Sequence, residues 1–160
     1  MEFPFFYFLL CDQEKTVNIN CLLYWNHRFF IACMKRTQLK QEYIFRASPQ
    51  ILYQFLTTPS CLIRWFCDNV EIDGEVYTFY WGDAADEATV VEDLEDEVFS
   101  LRWEGLHEDG EKLEFRISEA PVTGETILTL TDYCDDNEVK DQKRYWDKQM
   151  GELQVASGGG

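Results

Sequence analysis

The stretch that most limits how this chain can fold is its last helical pattern, residues 135–156, DDNEVKDQKRYWDKQMGELQVA. Val139, Trp146, Met150, Leu153 and Ala156 fall on one stripe, at steps of seven, four, three and three. That is the period of an amphipathic helix with one buried face. Asp135, Asp136 and Asn137 offer N-cap oxygens, and Glu138 places negative charge where the helix dipole favours it. Such a helix draws its stability from a surface that buries its stripe. The chain before it reads as a sheet able to supply one.

Residues 39–47, LKQEYIFRA, alternate as a strand. Ser48 and Pro49 then open a helix, as N-cap and first helical residue. Ile51, Leu52, Phe55 and Leu56 form its apolar face. Thr58-Pro59 ends it, because the residue before proline is pushed away from helical angles. Residues 60–66 read as a second short helix. Strand patterns follow at 70–72, 76–81 (VYTFYW), 87–92, 98–104 (VFSLRWE), 112–119 (KLEFRISE) and 125–133 (ETILTLTDY), separated by turns such as Asp73-Gly74. Short connections make successive strands antiparallel. The fold class is therefore α+β: one strand, two short helices, a six-strand antiparallel meander and a closing helix across its concave face.

Residues 1–33 differ from the rest. They hold half of the cysteines but only five charged residues: Glu2, Asp12, Glu14, Lys15 and Arg28. The apolar run 3–11 is too short to span a bilayer, and it lacks a basic lead and a cleavage site. Three readings compete: a poorly folded extension, an atypical membrane-associating leader, or residues outside the natural product because translation starts at Met34. The polar, basic start MKRTQLKQEYIF favours the last. The expected organisation is an atypical extension at 1–33, a domain at 34–156 and a flexible tail at 157–160.

The formal net charge is −16 and the sequence pI about 4.3. An acidic surface repels phosphate backbones and anionic lipid, so nucleic acid is not expected as a partner, and no segment reads as transmembrane. The six cysteines form no C-x-x-C pair, and the two histidines, His27 and His107, stand at no metal-ligand spacing. Free thiols in a reducing cytoplasm are the expectation. The acidic runs Asp83, Asp86, Glu87 and Glu92, Asp93, Glu95, Asp96, Glu97 lack the spacing and glycine of a calcium loop. His107 sits among Glu104, Glu108 and Asp109, as a solvated loop histidine does. No phosphate-cradling loop, nucleophile elbow or Ser/His/Asp set can be assembled, so no catalytic residue, metal or cofactor is expected.

The order SPQILYQFLTTPSCLIRWF, Asp-Gly turn, VYTFYW, VFSLRWE, KLEFRI, ILTLTDY and a terminal helix with Trp146 and Leu153 resembles the START-like (SRPBCC, helix-grip) superfamily. It is similar in particular to the small bacterial branch related to activators of the heat-shock-protein-90 ATPase. The resemblance spans residues 35–155. It implies a curved antiparallel sheet wrapped around a long C-terminal helix, with a cavity between them that holds a hydrophobic ligand in many members. The extension at 1–33 and the strongly acidic surface depart from the pattern.

Alternation names the inward residues. They are Tyr77, Phe79 and Trp81; Phe99, Leu101 and Trp103; Leu113, Phe115 and Ile117; Leu128 and Leu130; and, from the helix, Trp146, Met150 and Leu153. They form either a ligand-lined cavity or a filled core, and the two stand level. The expected function is non-enzymatic binding of a lipid-like or aromatic small molecule between sheet and helix. The alternative is a protein-interaction module or chaperone co-factor whose acidic surface meets a basic protein partner.

Overall fold

The computed structural model describes residues 35–105 and 110–158. In chain order the elements are β1 (Arg36–Phe45), α1 (Pro49–Thr57), α2 (Pro59–Leu62), β2 (Asn69–Asp73), β3 (Val76–Trp81), β4 (Ala84–Leu94), β5 (Val98–Trp103), β6 (Leu113–Glu119), β7 (Thr126–Asp135) and α3 (Val139–Ala156). The seven described strands make one sheet in the order β1-β7-β6-β5-β4-β3-β2, and every neighbouring pair is antiparallel. The meander is thus β2 to β7, and β1 closes onto its far edge beside β7. The expectations about residues 1–33 and about His107 lie outside the described residues.

Local chemistry sets most of the boundaries. Ser48 caps α1, its side chain accepting from the Ile51 N–H, and Pro49 occupies the first turn. Thr58 leaves helical angles ahead of Pro59. The tight turn after β2 carries Gly74 at φ 62°, a left-handed conformation that glycine adopts without a Cβ clash. β4 runs beyond the expected 87–92 at both ends, and its register shifts between Val90 and Glu92. A bulge of this kind interrupts the alternation by which a strand is recognised.

Two expectations about helices are corrected. The second helix stops at Leu62, and residues 63–66 turn instead of continuing it. The turn brings Trp65 and Phe66, both buried, inward. There the Trp65 Nε1–H donates to the Phe55 carbonyl at 2.9 Å. The N-cap of α3 is Glu138 without a side-chain bond, not one of the aspartates or Asn137. Asp135 ends β7 and pairs with Arg36, while Asp136 accepts from the Thr37 hydroxyl. Those carboxylates join β7 to β1 and are not free to cap.

The final helix lies on the concave face, as expected; its backbone runs nearest β1 and β7, while α1 covers β5 and β6. Its outer ties are polar: Asp147 accepts from Gln41 Nε2 at 3.0 Å and from the Tyr43 hydroxyl at 2.9 Å. Gln154 donates to the Ile44 carbonyl at 3.0 Å. Arg64 donates to the Ala156 carbonyl at 3.1 Å, satisfying one of the last acceptors of the helix. The concave face is therefore shared by three segments: α1, the turn carrying Trp65 and Phe66, and α3. Gly151 has nothing within 4 Å of where a Cβ would stand, so it marks no close approach of α3 to the sheet. No described helix is long and apolar enough to cross a membrane.

Candidate functional site

Strand register aligns the inner face into rows. Phe99 stands opposite Phe115, and Phe115 opposite Leu130; Leu101 stands opposite Leu113, and Ile117 opposite Leu128. Between β3 and β5 the inward residues of β4 include the small Ala88, which faces both Tyr77 and Trp103. Because β4 adds so little volume there, rings from β3 and β5 meet across it. Tyr77 and Phe99 lie 5.7 Å apart, Phe79 and Trp103 5.4 Å, and Trp81 and Trp103 6.3 Å, centroid to centroid.

Phe66 joins this sheet cluster to the helix. Its ring meets Phe79 edge-on at 5.1 Å and Trp81 at 5.6 Å, lies 6.4 Å from Trp103, and stacks on Trp146 at 6.4 Å. Trp146 in turn meets Phe115 edge-on at 6.0 Å. Such offset and edge-to-face pairs each add about 0.5–1.5 kcal/mol beyond area burial. The Phe66 carbonyl is fixed by the Trp81 Nε1–H at 2.8 Å.

All fourteen inward residues named from the sequence gather in this one cluster. Tyr77, Phe79, Phe99, Leu101, Leu113, Phe115, Ile117, Leu128, Leu130, Trp146, Met150 and Leu153 are buried. Trp81 and Trp103 are half-buried and packed against the others. The cluster therefore runs from a closed interior to a half-open end, where β3 and β5 finish. Trp146 touches sheet and Phe66 directly rather than standing off them. A separate groove of about 510 Å³ opens on the outer flank of α3, lined by Arg64, Lys148, Gly151, Glu152, Val155 and Ala156, and by none of the fourteen.

Sequence reasoning missed the polar side chains on the inner face. The first is Asp132, next inward on β7 after Leu128 and Leu130. Its Oδ2 accepts from Trp146 Nε1 at 2.8 Å and from Gln142 Nε2 at 2.7 Å, and its Oδ1 from the Tyr133 N–H at 2.8 Å. Burial raises its pKa, against the pull of those donors. The second is Gln149, buried on α3 one turn from Trp146, whose Oε1 has no partner among the described residues. The third is Asp86. It stands opposite Phe79, and burial raises its carboxyl pKa as well. Simple continuation of the period-two alternation would have found Asp86 and Asp132; nothing in the sequence marks Gln149, because glutamine on a helix is ordinarily a solvated residue.

Two thiols adjoin the cluster. Burial, with Asp68 adding to it, pushes Cys67 up to about 11, and burial also raises Cys134. Tyr145, on the same flank of α3, is raised by burial first and by Asp132, Glu152 and Cys67 after it. These groups hold their protons at neutral pH. They are poor nucleophiles there and adequate hydrogen-bond donors.

Comparison with known proteins agrees with this architecture. A solved protein from Bacteroides fragilis, determined in solution, is 29% identical; the match covers 79% of this chain and 94% of that one, with a TM-score of 0.58. The Aha1 dimer from Colwellia psychrerythraea is 17% identical over 75% of this chain and 95% of that one, with a TM-score of 0.64. A protein from Mesorhizobium loti is 15% identical over 75% and 96%, with a TM-score of 0.62. At the lower identities the likeness is one of fold. No curated protein matches the sequence. The model of the START-like superfamily domain matches residues 33–159, which takes in every described element. With its seven-stranded antiparallel sheet, two short helices after the first strand and long C-terminal helix, the chain belongs to the START-like superfamily.

Proposed function

We propose that this domain is a non-enzymatic binding module that takes up an apolar or amphipathic small molecule between the sheet and α3. One observation carries the reading: a continuous run of rings from buried Phe79 through Phe66 to half-buried Trp81 and Trp103. An aromatic wall that reaches the surface at one end offers a ligand both a way in and apolar area to cover. Membership of a superfamily whose fold commonly binds hydrophobic ligands adds to it. The rings touch one another, so uptake requires one of them to move. Phe66 is the candidate, because it sits on a turn rather than inside a helix or strand. Burial of the ligand against the rings then replaces the ring contacts that are given up.

The test is competition for a site. An uncharged environment-sensitive dye such as 6-propionyl-2-dimethylaminonaphthalene is titrated into the folded protein, and the bound dye is challenged with apolar compounds of increasing length. A saturable one-to-one site, weakened by Trp103→Ala and Phe79→Ala in proportion to contact area, is the expected result. Dye binding that never saturates, or that survives both substitutions unchanged, would refute a site at this cluster. Native mass spectrometry of protein from its own source, with an adduct lost on organic extraction, supplies an independent check.

A further inference from the structure

Among the described strands β1 stands at one end of the sheet, with β7 on one side only. Its hydrogen-bonding phase fixes what the other edge presents. The Asp136 N–H donates to the Lys35 carbonyl at 3.0 Å, one step beyond the pairing of Arg36 with Asp135. Successive residues of an antiparallel pair alternate between exchanging both backbone bonds and exchanging none. Lys35 and the odd-numbered residues of β1 therefore bond to β7. The N–H and C=O groups of Gln38, Lys40, Glu42 and Ile44 point the other way. The Ile44 carbonyl agrees with this phase, since Gln154 Nε2 reaches it from α3 at 3.0 Å. No described strand pairs with Gln38, Lys40 or Glu42 on that side.

The side chains on this edge are exposed, and they alternate with buried Leu39 and Phe45, so they share the convex face. Lys40 stands opposite Thr131 and Glu42 opposite Thr129, and neither has an ion-pair partner among the described residues. A lysine on a sheet edge discourages a neighbouring strand that brings it no counter-charge. Here the counter-charge lies two residues on, along the same edge, which makes the strand complementary to its own reverse. With a two-fold axis opposite Gln41, Lys40 of each copy meets Glu42 of the other, and Gln38 meets Ile44. The bonding phase allows slips of two residues at a time. One such slip sets Lys40 against Lys40, or Glu42 against Glu42, and like charges directly opposed destabilise a pair. We propose that this edge is an interaction surface for a second copy of the chain, β1 pairing antiparallel with β1 about Gln41. The contact is short, and a net charge of −16 on each copy opposes it, so the dimer is weak and reversible. This interface goes beyond the ligand-binding reading and does not rest on it.

The test is sedimentation of the full chain from about 10 μM to about 1 mM, in about 0.15 M salt. Reversible dimer formation within that range is the expected result. Lys40→Glu and Glu42→Lys both change exposed positions, and circular dichroism checks that each variant keeps the fold. Each is expected to weaken self-association at least about tenfold, because either reversal sets like charges at both crossings. The two variants mixed in equal amounts are expected to associate again, since one then offers two negative charges to two positive charges on the other. Amide hydrogen exchange at Lys40 and Glu42 is expected to slow as concentration rises, in the parent protein and in the mixture. A chain that stays monomeric to about 1 mM overturns the proposal. So does self-association that survives both substitutions, a mixture that stays monomeric, or exchange at Lys40 and Glu42 that ignores concentration.

Discussion

Phe66 is the residue on which the interior turns. It is buried, it belongs to no regular element, and its ring meets Trp65, Phe79, Trp81, Trp103 and Trp146. Truncation to alanine removes a packed ring and leaves a void among neighbours that cannot all collapse. Phe66→Ala is therefore expected to cost about 3–5 kcal/mol in urea unfolding. The same variant is expected to bind naphthalene more tightly than the parent protein, because the space is then already open. A loss below about 1 kcal/mol would mean that the ring is loosely held. Cys67 beside it gives a titration. Its raised pKa means that the folded state holds the thiol proton more firmly than the unfolded state does. That contribution to stability is complete below the ordinary thiol range and is lost as pH rises through about 11. Residue-resolved iodoacetamide labelling should find Cys67 slow at pH 8 and accelerating toward pH 11; labelling at pH 8 as fast as in urea would contradict it.

At the scale of the element, α3 was the most legible part of the chain and still held surprises. Trp146, Met150 and Leu153 are buried on one stripe as their spacing requires. The same pattern gave no sign that the helix would lie along β1 and β7, since a stripe says how much area is buried and not against which strands. Its start was misread because aspartates suited to capping were taken up by Arg36 and Thr37 nearly a hundred residues away, a partner choice that local sequence cannot express. Gly151 is open to a direct test. With free space where a Cβ would stand, Gly151→Ala should stabilise the protein by about 0.5–1 kcal/mol, by helix propensity alone. That raises the thermal midpoint by roughly 2–4 °C for a chain of this size. A fall in the midpoint would show that the groove beside Arg64 and Glu152 has no room for a methyl group.

For the whole molecule, the fold class was readable because alternation, turn glycines and one long amphipathic stripe agreed on a single architecture. The inward apolar residues followed from the same alternation. The polar ones did not register, because Asp86 and Asp132 look like any solvated acid in a chain of net charge −16. What makes them unusual is the company they keep across the sheet. The sheet order has one more consequence, for how the chain is made. β2 to β7 pair with their immediate successors, so each hairpin can form as soon as its second strand exists. β1 is different: Arg36 finds Asp135 across a separation of 99 residues. During synthesis the earliest of the described strands is thus the last to gain a neighbour, and the backbone N–H and C=O groups of β1 wait for their β7 partners until almost the whole domain has been translated.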